Sequence, residues 1–368
     1  MNITDKTLRQ DEKIIFSLRS LYEQNGYNRF KMSKFEEYDL YVRNKDFLIS
    51  DSIITFTDIG GKLMALKPDV TLSIVKNSKD KEGFVQKVYY DENVYRVSKG
   101  TGSFKEIKQV GLECIGSIDS YCILEVLSLA CESLKTISSD SLLVLSQLDI
   151  ISDVINEMEL NREKRKAVIK CLGEKNLHGL ELICNEAGVD SKLLCSIAAL
   201  DGAPSLVLPK LKLLPLSENS RSALAQLEEL ISSLEGCGYA DMLRVDFSAV
   251  SDMNYYNGVV FKGYISGVPA QVLSGGQYDL LLNKLHRKAK ALGFAVYIDD
   301  LSILDNSRTI LDADIVLLYD ENCNISGLRK AALSLNEKGT VAVMRSLPED
   351  FRYGKKLYFS DGEVISRE

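Results

Sequence analysis

Histidine is scarce in this chain, with His178 and His286 the only two among 368 residues. The commonest general base and metal ligand is therefore nearly missing, which leaves little room for independent hydrolytic or zinc chemistry, and no cofactor or metal is expected. Positive charge is also short: 45 Lys and Arg stand against 52 Asp and Glu, a formal net charge of -7, and the sequence pI is about 5.2. Such a balance argues against a large basic face of the kind that holds a nucleic-acid backbone. No window approaches the roughly 18 consecutive apolar residues of a membrane span. The opening Met1-Asn-Ile-Thr-Asp-Lys6 has no apolar signal core, so a cytoplasmic protein with no membrane partner is expected. The eight cysteines (114, 122, 131, 171, 184, 195, 237 and 323) show neither paired spacing nor a compact cluster. They are read as reduced thiols in apolar surroundings rather than disulfides or metal ligands. Internal repeats and low-complexity tracts are absent as well.

What is present is an ordinary globular composition, 45% apolar, in a chain long enough for two or three domains. Ile14, Ile15, Leu18, Leu21 and Tyr22 fall at helical spacing over residues 10–25, with Gly26 placed for a left-handed cap. From Tyr27 to about Ile118 the pattern turns to short β-rich runs, including Ile53–Thr57, Phe84–Tyr90 and Glu106–Leu112, with turns expected at Gly-Gly, Lys-Gly and Asp-Glu-Asn. Because helices do not alternate regularly with these strands, an antiparallel sheet in an α+β fold is predicted. Helical periodicity returns from Ser120 to about Gly236; Asn219 is the predicted cap of a segment with Leu224, Leu227, Leu230, Ile231 and Leu234 on one stripe. Residues 158–236, punctuated by Gly173, Gly188 and Gly236, read as a helical insertion that divides one sheet domain, 1–157 and 237–308, in sequence. Residues 309–368 read as a short C-terminal α/β unit, with strand Ile315–Tyr319, helix Ser326–Leu335 and strand Thr340–Met344.

Three strings, in this order, resemble the class II aminoacyl-tRNA synthetase core and specifically its histidyl-tRNA synthetase branch. They are Gly61-Lys-Leu-Met-Ala-Leu-Lys-Pro-Asp-Val-Thr71; Val94–Gly100 running through Phe104–Gly116; and Asn254-Tyr-Tyr-Asn-Gly-Val-Val-Phe261 followed by Ser274-Gly-Gly-Gln-Tyr-Asp279. The resemblance spans about residues 10–305 and implies an antiparallel sheet flanked by helices. It implies that Asp69 and Thr71 receive a substrate ammonium and that Gln109, Glu113, Tyr255 and Tyr256 surround an amino acid with a polar aromatic side chain, histidine. Gln109 and Glu113, four apart on a strand, share a face, whereas Tyr255 and Tyr256 face opposite sides if their segment is extended. On the residues alone a plainer reading stays open: Asp69 turns a loop, Gln109 and Glu113 are solvated strand positions, and the tyrosines are core.

Several positions depart from that pattern. Arg96 matches the arginine that grips the α-phosphate of ATP, but Ser98 replaces its accompanying acid, and in Gly102-Ser-Phe-Lys-Glu-Ile107 only Lys105 keeps a positive charge. Arg96 and Lys105 are thus the candidate remnants of an anion site. Ser251 stands where the resemblance implies a catalytic arginine, and a preorganised donor of that kind is worth ~10²–10³ in rate. In Gly293-Phe-Ala-Val-Tyr-Ile-Asp-Asp-Leu301, Tyr297 replaces a glycine and Asp300 the arginine that clamps the ATP tail. At roughly 5 Å and an effective dielectric of about 20, a carboxylate repels a phosphate charge by on the order of 3 kcal/mol. Ser33 replaces the proline of the first, dimer-forming motif, and only 56 residues follow Asp312, too few for a full anticodon-binding domain.

This combination resembles the regulatory subunits of short-form ATP phosphoribosyltransferase, which implies a catalytically silent chain without catalytic residues. The implied partners are a short catalytic subunit in a hetero-octamer, a second copy of the chain as a dimer, and histidine as ligand, with no tRNA. Two other readings remain: a synthetase-derived amino-acid-binding module with a different partner, and an active histidine-activating synthetase.

Overall fold

The computed structural model describes residues 8–44, 53–79, 81, 83–97, 102–248, 255–305, 311–360 and 362–366. The chain forms two compact units, Met1–Leu304 and Asp305–Glu368. In the first, helix α1 (Gln10–Gln24) leads to β1 (Asn28–Arg29), β2 (Phe35–Glu37), α2 (Tyr38–Val42), β3 (Thr55–Thr57), β4 (Leu63–Leu66) and α3 (Thr71–Asn77). The long hairpin β5 (Val85–Val97) and β6 (Phe104–Gly116) follows, then α4 (Ser120–Ile137), β7 (Ser141–Gln147) and α5 (Leu148–Glu157). A helical stretch comprises α6 (Arg162–Gly173), α7 (Leu177–Ala187), α8 (Lys192–Ala198), the two-residue β8 (Asp201–Gly202), α9 (Pro204–Lys212) and α10 (Glu218–Gly236). Strands β9 (Leu243–Asp246), β10 (Asn257–Ile265) and β11 (Leu273–Gln277), helix α11 (Asp279–Lys284) and β12 (Lys290–Tyr297) complete the unit. Among the described residues no helix is long and apolar enough to cross a membrane.

Nine strands make one sheet in the order β1-β5-β6-β12-β11-β10-β7-β9-β8, and β2, β4 and β3 form a small second one. The large sheet is mixed: its central pairs are antiparallel as the sequence predicts, while β1–β5 and β7–β9 are parallel. The parallel β7–β9 pair arises because α5 through α10 intervene between these neighbours, a crossover long enough to bring the chain back in the same direction.

The expected Asp91-Glu92-Asn93 turn is instead the middle of β5, paired in register with β6. Tertiary contacts override the turn propensity of these residues: Glu92 holds the fully buried Lys67 ammonium at 2.7 Å, Asp91 pairs with Lys108, and Asn93 donates to Glu106. The cap of α10 is also shifted from expectation. Ser217, in extended conformation, accepts from the Ser220 amide at 3.1 Å, and Asn219 lies inside the helix with its amide 3.5 Å from Asp153. The helix is anchored there because the Ser217 and Ser220 hydroxyls both donate to Asp153 of α5.

Alternation along the strands separates two cores. Tyr89, Val110, Leu112 and Cys114 face α1 and α4 in the main core, whereas Val88, Tyr90, Val94 and Ile115 face a second cluster with Tyr41, Val70, Ile74, Tyr255, Tyr278 and Leu281. All eight cysteines are free thiols; Cys237, just past α10, is the exposed one, and Cys114, Cys122, Cys131 and Cys184 are buried.

The second unit holds β13 (Ala313–Tyr319), α12 (Ile325–Asn336), β14 (Val341–Met344), β15 (Tyr353–Ser360) and β16 (Glu363–Ile365), in the order β14-β13-β15-β16. Its core is Ile315, Leu317, Leu328, Ala332, Leu357 and Phe359. The last two strands carry no expectation from the sequence; β15 mixes Lys355 and Lys356 with Leu357 and Phe359 and reads weakly.

Candidate functional site

The second face of the sheet, between β6, β11 and β12 and the start of α3, encloses a cleft lined by Asp69, Thr71, Tyr90, Arg96, Gln109, Glu113, Tyr255, Tyr256, Ser274, Tyr278 and Tyr297, among others. Six residues singled out from sequence for amino-acid contact therefore meet in one place. Gln109 and Glu113 are not solvated: they are 4% and 2% exposed. Tyr255 and Tyr256 both border the cleft, with ring centroids 4.6 Å apart in an edge-to-face arrangement, because the chain turns at Tyr255 before entering β10 and adjacent side chains no longer point to opposite sides.

Glu113 is the polar centre of the cleft. Thr71 Oγ1 donates to its Oε1 at 2.7 Å and Tyr278 OH donates to its Oε2 at 2.6 Å. Burial pushes the Glu113 carboxyl up to about 8, outweighing the two hydroxyl donors that favour its charge, and the Asp69 carboxylate pushes in the same direction. Burial likewise raises Asp69, against the pull of the Leu72 amide, which donates to Asp69 Oδ1 at 2.9 Å, and of the Arg96 charge. Tyr90, Tyr255 and Tyr278 are held far above the usual phenol range by burial, so all three stay neutral donors. Two buried carboxyls with raised affinity for protons, ringed by neutral hydroxyls, are chemically suited to a cationic group that can displace a proton.

The cleft is tight. Its free volume is about 30 Å³, room for about two water molecules. Tyr297, at the position where the resemblance implies glycine, lines it and shares a 2.7 Å hydrogen bond between its hydroxyl and Ser274 Oγ. Gly293 shows how little slack exists: a Cβ there would lie 1.8 Å from Glu113 Oε2 and 2.5 Å from the Leu112 carbonyl oxygen.

The cationic side is sparse. Arg96 borders the cleft, donates its Nε–H to the Pro68 carbonyl at 3.0 Å and acts electrostatically on Asp69. Lys105 pairs opposite Arg96 in the β5–β6 ladder but is exposed and does not line the cleft; its charge acts on Asp300. Asp300 is raised by burial first and by neighbouring Asp299 second, the latter accepting from the Lys108 amide at 2.8 Å. Ser98, Ser251 and Asn254 lie outside the described residues. Among the described residues no cluster of three or more His, Cys, Asp or Glu is arranged to hold a metal ion.

Tyr90, Ser274 and Tyr278 are site residues that the sequence reading did not single out. Ser274 and Tyr278 lay inside a quoted string, and only the pairing of β11 with β12 reveals that they reach Tyr297 and Glu113. For Tyr90 the signal was the alternation of β5, whose even-numbered residues Val88, Tyr90 and Val94 share the second core.

A family model described as histidyl-tRNA synthetase matches residues 2–301. An ATP phosphoribosyltransferase regulatory subunit from Thermoanaerobacter sp. (strain X514) is 28% identical over 345 residues, covering 91% of this chain and 90% of its own length. Among solved structures, an ATP phosphoribosyltransferase regulatory subunit/histidyl-tRNA synthetase from Bacillus halodurans superposes with a TM-score of 0.77 at 23% identity, over 97% of this chain and 96% of that one. A chain of the ATP phosphoribosyl transferase complex from Thermotoga maritima superposes with a TM-score of 0.63 at 20% identity, over 81% of this chain and 98% of that one. The structural likenesses establish the class II synthetase-like α+β fold, and the extent of the family match establishes that the chain belongs to the histidyl-tRNA synthetase family.

Proposed function

We propose that this chain is the non-catalytic regulatory subunit of an ATP phosphoribosyltransferase, assembling with a short catalytic subunit, switching it on and conveying inhibition by histidine. The observation that carries this reading is the match to a relative of that name over 91% of this chain and 90% of the relative, which extends beyond the span of the synthetase family model, residues 2–301. In this reading residues 1–157 and 237–308 form the core, 158–236 the helical insertion and 309–368 the C-terminal domain. The octamer of four copies with four catalytic subunits, the self-associated dimer, the absence of tRNA binding and a cytoplasmic location belong to the same proposal.

The cleft supports a recognition role over an activating one. Asp69 and Glu113 present acids where a ligand ammonium would sit, Thr71 and Gln109 supply hydrogen-bonding groups, and Tyr255 and Tyr256 flank the place of an imidazole. ATP chemistry needs cations aimed at the phosphates. Arg96 is drawn to Asp69, Lys105 faces solvent, and the sequence holds Ser251 and Asp300 in place of the two implied arginines. Histidine then acts by differential affinity, binding one arrangement of the complex more tightly than the other.

The test is to mix the purified chain with its cognate short catalytic subunit and measure ATP phosphoribosylation with and without histidine. Activity that appears on mixing and falls with histidine is the expected result. Failure of the cognate pair to gain activity sinks the regulatory reading, and histidine-dependent pyrophosphate exchange into ATP by the chain alone sinks its non-catalytic part.

A further inference from the structure

The first unit holds a second cavity besides the Glu113 cleft. This one, of about 270 Å³, opens on the helical side of the sheet and is lined by Ser120, Tyr121, Ile123 and Leu124 of α4, Gln226, Leu227, Glu229, Leu230 and Ser233 of α10, Gln147, Val259 and Gln277. It is about nine times the volume of the cleft. The two lie on opposite sides of the sheet, since alternate residues of β11 point to alternate faces: Ser274 lines the cleft and Gln277 the larger cavity.

Its walls are mainly apolar, through Ile123, Leu124, Leu227, Leu230 and Val259, with three primary amides among them, of which Gln226 is exposed. Gln277 Oε1 accepts from the Val259 amide at 2.9 Å, so that oxygen is committed to the sheet. Gln147 is different. It is 4% exposed, and its Oε1 accepts no hydrogen bond among the described residues. Although Gln147 precedes the first turn of α5, its side chain makes no capping bond there. A buried acceptor left without a donor is costly, and one that faces a cavity calls for a group that completes it. A polar atom of fixed position in an otherwise apolar cavity is the arrangement that orients a small ligand.

We propose that this cavity binds a neutral, mainly apolar small molecule carrying one N–H or O–H donor, which enters between α4 and α10 and gives its hydrogen to Gln147 Oε1. The apolar body packs against Leu124, Leu227 and Leu230, and charged ligands are disfavoured because the one charged residue in its lining among the described residues, Glu229, is exposed to solvent. This assignment does not depend on the regulatory reading, because it concerns a different cavity and is tested on the full chain alone.

Indole and 1-methylindole are the probes: nearly equal apolar bodies, one with the donor and one without. Calorimetry on the wild-type chain should show indole binding one-to-one and 1-methylindole at least tenfold more weakly, about 1.4 kcal/mol. Gln147→Leu, which removes the acceptor but not the bulk, should level the two probes, and Leu230→Trp, which fills the cavity, should abolish both. Circular dichroism melts check that each variant folds, and the wild-type comparison stands without them. Equal affinity of the wild type for the two probes, no binding of indole up to millimolar concentration, or a preference that survives in Gln147→Leu overturns the proposal.

Discussion

Glu113 binds its proton in the folded chain up to about pH 8, whereas in an unfolded chain it would release it near the ordinary value of 4.5. The folded state therefore carries the extra proton between these limits, so the contribution is full below pH 4.5 and is lost as pH rises through about 8. Glu113→Gln has no proton to lose. Its stability relative to wild type should improve across that window and level off above it, because only the wild type gives up the contribution of the proton. Urea melts of both proteins at pH 5, 7 and 9 check this, and parallel pH profiles would refute the raised value. The same proton bears on ligand uptake. If histidine's ammonium meets Glu113, binding should release about one proton near pH 7 and tighten toward pH 9, seen as a heat of binding that varies with the ionisation enthalpy of the buffer. Glu113→Gln should show no such release and bind at least tenfold more weakly; identical binding by the two proteins would remove Glu113 from the proposed site. Gly293→Ala belongs to this scale too. Its new methyl meets the Leu112 carbonyl, which is backbone and cannot turn aside, so a loss of ~1–3 kcal/mol in thermal or urea unfolding is expected.

Among the elements, α10 is pinned at its start by a cluster in which the Ser217 and Ser220 hydroxyls meet Asp153 of α5. Ser217→Ala removes the cap on the Ser220 amide and one donor to Asp153, and should cost about 1 kcal/mol in urea unfolding. Asn219→Ala should cost a few tenths at most, since its contact at 3.5 Å is marginal; the reverse order would return the cap to Asn219. Strand and helix identity was largely legible in the sequence: apolar spacing marked α1 and α10, and β-rich runs marked β5 and β6. What spacing could not show was partnership. Asp91-Glu92-Asn93 reads as a turn until Lys67, Lys108 and Glu106 are brought beside it from other elements. Ser217 and Asn219 are both good cap formers, and only the position of Asp153 decides between them. The six amino-acid-site candidates come from three separated strings that the family resemblance tied together; hydrogen bonding to Glu113 then adds Tyr278, and Lys105 drops out because its strand end faces solvent. The larger cavity gave no sequence signal, since glutamines on β7 and β11 look like ordinary polar strand residues.

At the scale of the whole molecule, the proposal predicts a particular mass and a particular silence. Light scattering of the chain with its catalytic partner should give a hetero-octamer, and the chain alone should neither form histidyl adenylate nor retard tRNA on a gel at physiological salt, consistent with its net charge of -7. A discrete complex of another composition would correct the stoichiometry alone, whereas adenylate formation would overturn the non-catalytic assignment.

Cys237 lies at the end of α10, whose side chains wall the larger cavity, and it is the exposed thiol of the eight. A maleimide dye used in short supply should therefore attach there first, ahead of the four sulfurs packed in the interior. The molecule thus comes with its own attachment point for a reporter, on a helix that borders this space, and no engineered cysteine is needed to watch its filling in solution.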